Sequence, residues 1–155
     1  YGEERFAARI AAAIVARRAT QPITTTRQLD SLVASIVKTH EKGQDHATRT
    51  FQAFRIFINR ELEELDAILA QAQRLLKPQG RLVVISFHSL EDRIVKRALA
   101  PSKIDSALRH LPIRGDGVAP SVWATLGKIK PSQAEIRANP RARSAIMRIA
   151  QRAAR

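Results

Sequence analysis

Residues 80 to 97 read GRLVVISFHSLEDRIVKR, and no other stretch of the chain narrows the fold as far. RLVVISF is an unbroken run of mainly apolar, β-favouring residues, too short for an ordinary helix and preceded by Gly80, which predicts a strand. Apolar residues at successive rather than alternate positions predict burial on both faces, as in the centre of a parallel sheet flanked by helices. The chain then passes at once into a charged amphipathic segment. Ser89 stands as N-cap with Asp92 at the third helical position, the spacing of a capping box, so LEDRIVKRAL is predicted as helix. A strand feeding a helix in this way points to the α/β class.

In open α/β sheets, ligands lie beyond the carboxyl ends of the strands, where the turn presents side chains and free N–H groups. Ser86, His88 and Ser89 occupy that turn and are the candidate catalytic-pocket residues. The alternative is that Ser89 only caps, Ser86 fills a small core position and His88 is held by the backbone. A Ser-His hydrolase is set aside because a nucleophile elbow requires Gly-x-Ser-x-Gly, and neither serine has those glycines.

Elsewhere the periodicity is helical. Phe6, Ile10 and Ile14 recur every four residues between Glu3-Glu4 and Arg17-Arg18, charges that match a helix dipole at both ends, which predicts a helix over 3–18. Thr25 with Gln28 forms a capping-box pattern before a second helix over 26–38. KTHEKGQDHA reads as a connection; His40, Asp45 and His46 lack recognised metal-ligand spacing and read as solvated. From Thr48, Phe51, Phe54, Ile58, Leu62, Leu65 and Leu69 fall at three- or four-residue steps, one long helix or two kinked together, with Glu61, Glu63, Glu64 and Asp66 on its solvated face. KPQG ends it, with Gly80 suited to the left-handed position. Residues 100 to 122 read as a long loop. ATLGKIK and RSAIMRIAQ are strand candidates around a short helix capped by Ser132 with Glu135, and together predict an antiparallel pair at a sheet edge.

The chain carries 27 Lys plus Arg against 14 Asp plus Glu, a net charge of +13, so a polyanion is the expected partner. Nucleic acid is favoured over membrane: the longest apolar runs are far too short to span a bilayer, and no leader pattern opens the sequence. Cysteine is absent, which excludes thiolate metal sites and Cys nucleophiles and is compatible with the cytoplasm. Three features fit RNA backbone contact. Arg49, Gln52, Arg55 and Asn59 share one helical stripe in HATRTFQAFRIFIN; Arg93 and Lys96 follow the Ser-His turn; Arg141 and Arg143 stand in NPRARSAIMR. No Gly-rich phosphate loop, dinucleotide fingerprint or Walker sequence occurs, so no cofactor-binding residue and no metal ligand is assigned.

YGEERFAARIAAAIV, HATRTFQAFRIFINRELEEL, LLKPQGRLVVISFHSLEDRIVKR and NPRARSAIMRIAQR, in that order along the chain, closely resemble the second half of the MraW (RsmH) family. These are S-adenosylmethionine-dependent methyltransferases of the exocyclic amine of one cytidine in the decoding region of bacterial 16S ribosomal RNA. The resemblance implies the C-terminal part of a Rossmann-like class I methyltransferase domain over 48–155, preceded over 1–47 by the end of a helical insertion that recognises substrate. It implies S-adenosylmethionine as cofactor, bound mainly by a first half not represented here. It also implies 16S rRNA of the small ribosomal subunit as partner; with such a substrate, Ser86, His88 and Ser89 are expected on the target-base side and Arg49, Arg55, Arg93, Lys96, Arg141 and Arg143 on the RNA backbone. A homodimer is left open. Two positions depart from the family: His46 stands where Pro is usual, and Gln79-Gly80 where Gly-Gly is common. The competing readings are a non-enzymatic basic RNA-binding module and, last, a basic DNA-binding helical protein, which leaves the apolar strand without a purpose.

Overall fold

The computed structural model describes residues 1–38, 45–100 and 121–154. The expected loop at 100–122 and His40 lie almost wholly or wholly outside them. The described residues form two compact units, Tyr1–Glu61 and Leu62–Arg155.

The first unit is helical: α1 (Ala7–Thr20), α2 (Thr26–Ile36) and α3 (Thr48–Asn59). Its core gathers Ile10, Val33, Val37 and Ala47, with Phe6, Ile14, Leu29, Ile36 and Phe51 packed around them. α2 begins as its sequence predicts. The Thr25 side chain accepts from the Gln28 N–H at 3.2 Å, and the Gln28 carboxamide accepts from the Thr25 N–H at 3.1 Å. α1 begins four residues later than the charge pattern predicts. Glu4 lies before the helix and its Oε1 accepts from the Phe6 N–H at 2.9 Å, while Glu3 takes a positive φ of 50°. The cause lies in Gly2, where a Cβ would stand 2.2 Å from the carbonyl oxygen of Arg49. The N-terminal turn is thus laid directly on the α3 backbone, an approach open only to glycine.

The long periodic stretch is two helices. Arg60 adopts the left-handed conformation (φ 53°, ψ 35°), ends α3, and is followed by α4 (Glu61–Leu75). At the end of α4 the left-handed residue is Gln79, φ 63°, rather than the expected Gly80. Gly80 serves close approach instead: a Cβ there would meet the Lys77 carbonyl oxygen at 2.8 Å.

The second unit is mixed α/β. β1 (Arg81–Ser86), β2 (Trp123–Ile129) and β3 (Ile146–Arg152) form one sheet in the order β1-β3-β2, with both pairings antiparallel. Between β1 and β2 lies α5 (Ser89–Ala98). A short α6 (Gln133–Ala138) and a 3₁₀ turn (Pro140–Ser144) connect β2 to β3. The expected antiparallel pair at a sheet edge is present as β2 and β3.

β1 departs from expectation. Among the described residues it is an edge strand, antiparallel to its neighbour, and it alternates between covered and exposed residues. Leu82 and Val84 pack on a core of Leu69, Val95, Leu99, Trp123 and Ala150, whereas Val83 and Ile85 are 52% and 55% exposed. An apolar run records only that both faces are apolar. It does not say which part of the chain covers each. β2 carries a bulge between Thr125 and Gly127. Trp123 and Thr125 share the covered face with Ala150, but Ile129, opposite Met147, falls on the exposed one, because one extra residue reverses which side chains point inward.

Candidate functional site

The turn from β1 into α5 is built by side chains that occupy each other's backbone partners. Its cap is His88, not Ser89. His88 is extended (φ −140°, ψ 164°), its Nδ1 accepts from the Glu91 N–H at 3.3 Å, and Glu91 Oε2 accepts from the N–H groups of Phe87 and His88 at 2.8 and 3.2 Å. The box therefore pairs His88 with Glu91, one residue earlier than Ser89 with Asp92. Asp92 is engaged elsewhere: Arg148 on β3 donates to it through Nε at 2.6 Å and Nη2 at 2.9 Å. A bidentate charge-assisted pair outweighs a neutral hydroxyl cap. The hydrogen bond from Arg148 lowers the Asp92 pKa most; burial opposes this in part, and the charges of Arg148, Lys128 and Lys96 add to the lowering.

The cap also decides the tautomer of His88. An Nδ1 that accepts carries a lone pair, so in the neutral ring the proton sits on Nε2. Nε2 lies 3.3 Å from Glu91 Oε1, outside hydrogen-bonding geometry, and is buried without a hydrogen-bond partner. Ser86, only 2% exposed, likewise has a buried Oγ without a partner. Leaving such groups unsatisfied costs about 1–3 kcal/mol each, so both are candidates for a further partner. Ser89 is exposed. The three candidates thus share one turn but not one surface: two lie beneath it and one upon it.

The basic candidates fall in separate places. Arg49, Gln52, Arg55 and Asn59 run along α3 in the first unit, the first two half-buried and the last two exposed. Glu61 ties two of them together, Oε1 accepting from Arg55 Nε at 2.8 Å and Asn59 Nδ2 at 3.3 Å, and Oε2 from Arg55 Nη2 at 3.1 Å. Glu61 is therefore a clasp on the polar stripe rather than part of a free solvated face. In the second unit Arg93 and Lys96 are exposed on α5. Arg141 and Arg143 are exposed in the 3₁₀ turn, held at its start by the Asn139 side chain, which accepts from the Arg141 N–H at 3.2 Å. In the connection before α3, Asp45 Oδ1 accepts from the Ala47 N–H at 2.8 Å, a turn-closing role.

Glu91 and Arg148 are absent from the sequence-derived site. Glu91 was open to discovery, since it stands three residues after His88, but His is an uncommon cap. Arg148 was not, because it lies 56 residues from its partner. Among the described residues no helix is long and apolar enough to cross a membrane.

Comparison with known proteins adds the lineage. Residues 1–153 match the MraW methylase family. Ribosomal RNA small subunit methyltransferase H of Janthinobacterium sp. (strain Marseille) is 61% identical over 153 residues, covering 98% of this chain and 48% of the relative. The protein of the same name from Herminiimonas arsenicoxydans is 62% identical over 153 residues, with 98% and 48% covered. That of Dechloromonas aromatica (strain RCB) is 58% identical over 154 residues, with 98% and 50% covered. The chain spans about half the length of the curated relatives it matches. The match runs through the α3 stripe, the β1–α5 turn and the arginine-bearing 3₁₀ turn alike, and the chain belongs to the MraW methylase family.

Proposed function

We propose that the longer protein to which these residues correspond transfers a methyl group from S-adenosylmethionine to the exocyclic amine of a cytidine in 16S rRNA of the small ribosomal subunit, in the cytoplasm. The observation that carries this reading is the match of residues 1–153 to the MraW methylase family, with relatives 61% and 62% identical that are named ribosomal RNA small subunit methyltransferase H. The three-stranded sheet is read as the closing part of a Rossmann-like class I domain. Its open β1 edge and the half-exposed Val83 and Ile85 support that reading, since both features call for further strands and a second helical layer. Residues 1–47 are read as the end of a helical insertion that contacts substrate.

When bound, S-adenosylmethionine supplies an electrophilic sulfonium methyl. The described residues do not themselves make a cradle for it. The N–H groups at the start of α5 that would hold an anionic group are taken by Glu91 and His88. Its site is therefore assigned to the part of the relatives that this chain does not cover.

The residues present act on the RNA. A cytidine amine shares its lone pair with the ring and is a poor nucleophile, so orientation is the main contribution open to the protein. The base must also leave its stack to be reached. The β1–α5 turn forms the target-base side of the pocket. Ser89 stands exposed at its rim, and His88 and Ser86 lie beneath it and hold the turn in shape. Arg49, Arg55, Arg93, Lys96, Arg141 and Arg143 grip neighbouring phosphates, helped on α3 by Gln52 and Asn59. Arg55 does so in competition with Glu61.

The test is His88→Ala in the full-length protein, with methyl transfer to 30S subunits and RNA binding measured separately. The rate falls by about 10²-fold, the scale of a lost positioning contact, while the RNA dissociation constant changes by less than about threefold. Equal losses in both would reduce His88 to a structural cap.

A further inference from the structure

In the first unit, the end of α1, the Pro22-Ile23 segment and α2 enclose an open cleft of about 480 Å³. None of the residues assigned above lies in it. Its floor is apolar, formed by Pro22, Ile23 and Leu32, and its rim carries Arg17, Arg27 and the hydroxyl of Ser31. No acidic side chain lines it. Arg17 is pre-positioned, its Nη2 donating to Gln21 Oε1 at 2.6 Å. The α2 capping box already satisfies the Gln28 N–H, so anion binding here falls to the two guanidinium groups rather than to the helix end.

From this we infer that the cleft is a second RNA contact that seats one unpaired nucleotide of the substrate away from the modified base. The inference rests on the functional reading above. The volume lies within the range of about 300–1,000 Å³ usual for small-ligand sites. The apolar lining of Pro22, Ile23 and Leu32 accepts the face of any base through apolar contact that does not depend on sequence. Two arginines on the rim match the phosphate, for which a planar fork is better suited than an ammonium. Ser31 offers a single donor-acceptor at the base edge, which gives a weak preference rather than a strict code. A purely apolar ligand would leave both arginines unused, and a purely anionic one would not need the floor.

The experiment uses the full-length protein and a short single-stranded RNA carrying the target cytidine, with two variants. Arg27→Gln removes a phosphate contact: RNA affinity falls, and the slope of log affinity against log salt flattens by about 0.7, the value for one contact to a single strand. Ser31→Leu fills the cleft without removing charge or adding an aromatic face: affinity falls by about tenfold, or about 1.4 kcal/mol, with an unchanged slope. Thermal unfolding of each variant, at the wild-type temperature, shows that the fold is intact. S-adenosylmethionine binding is unchanged in both. If the wild type binds the RNA and both variants bind it equally well with the wild-type slope, the inference is overturned while the functional reading stands. If the wild type neither binds nor methylates RNA, the functional reading falls and takes the cleft with it.

Discussion

On the face of the sheet beneath α4 and α5, Leu82, Val84 and Ala150 join Leu69, Val95, Leu99 and Trp123 in one core. On the opposite face Val83, Ile85 and Ile129 are 52%, 55% and 50% exposed. Both faces of β1 carry large apolar side chains, and they differ in what lies over them. Since an exposed apolar face is normally a docking surface, the difference teaches that the apolar pattern of β1 leaves one face available for a further layer. That agrees with the half-length coverage of the relatives.

The comparison can be broken most forcefully at Trp123. It is 6% exposed on the covered face, and Trp123→Ala lowers the unfolding free energy by about 3–5 kcal/mol. Denaturant unfolding measures this, and a loss below about 1 kcal/mol would mean that the covered face is not a packed core.

The open face gives the next effect, and a sharper one because it depends on context. On the reading that the remaining half covers this face, Ile85→Ala costs about 2–3 kcal/mol in the full-length protein and less than about 1 kcal/mol in any shorter version that folds without that half. Equal costs in both proteins would show that nothing docks there.

The smallest effect is electrostatic and concerns how α5 is tied to the covered face. Asp92 has its pKa lowered from 3.8, chiefly by the hydrogen bond from Arg148. A carboxyl whose folded pKa is depressed stabilises fully above its unfolded value, and that contribution is lost as pH falls through the folded value. Stability therefore declines below about pH 4 as the Asp92 carboxylate is protonated and its pair with Arg148 is lost, and Asp92→Asn flattens that part of the profile while costing about 1–2 kcal/mol at neutral pH. A variant with the wild-type acid slope would detach the pair from acid stability.

Local signals were legible because they are settled within a few residues. The Thr25–Gln28 box and the Ser132 cap of α6 appear as the sequence predicts, the latter with the Glu135 N–H donating at 3.1 Å. The stop at KPQG is equally local. The shift of the second box from Ser89–Asp92 to His88–Glu91 was not legible, because Asp92 was claimed by an arginine on a distant strand. The late start of α1 followed from Gly2 lying against α3, and the division of the long helix from a left-handed Arg60, a conformation uncommon for residues other than glycine. Of the candidate site, the turn holding Ser86, His88 and Ser89 was visible in the sequence. Which of those atoms are buried, and which ring nitrogen holds the proton, was not.

By itself the sequence determined the helices of the first unit, the strand–turn–helix at residues 81–98, the basic character and the family. These depend on periodicity, capping chemistry and charge, which act between near neighbours or add up along the chain. Only the tertiary structure decided that β1 pairs with β3, that a bulge turns Ile129 to the open face, that Glu61 clasps Arg55, and that His88 points a donor inward. Each of those depends on groups brought together by the fold, and the free energy of such a contact is set by geometry that no local window of sequence contains.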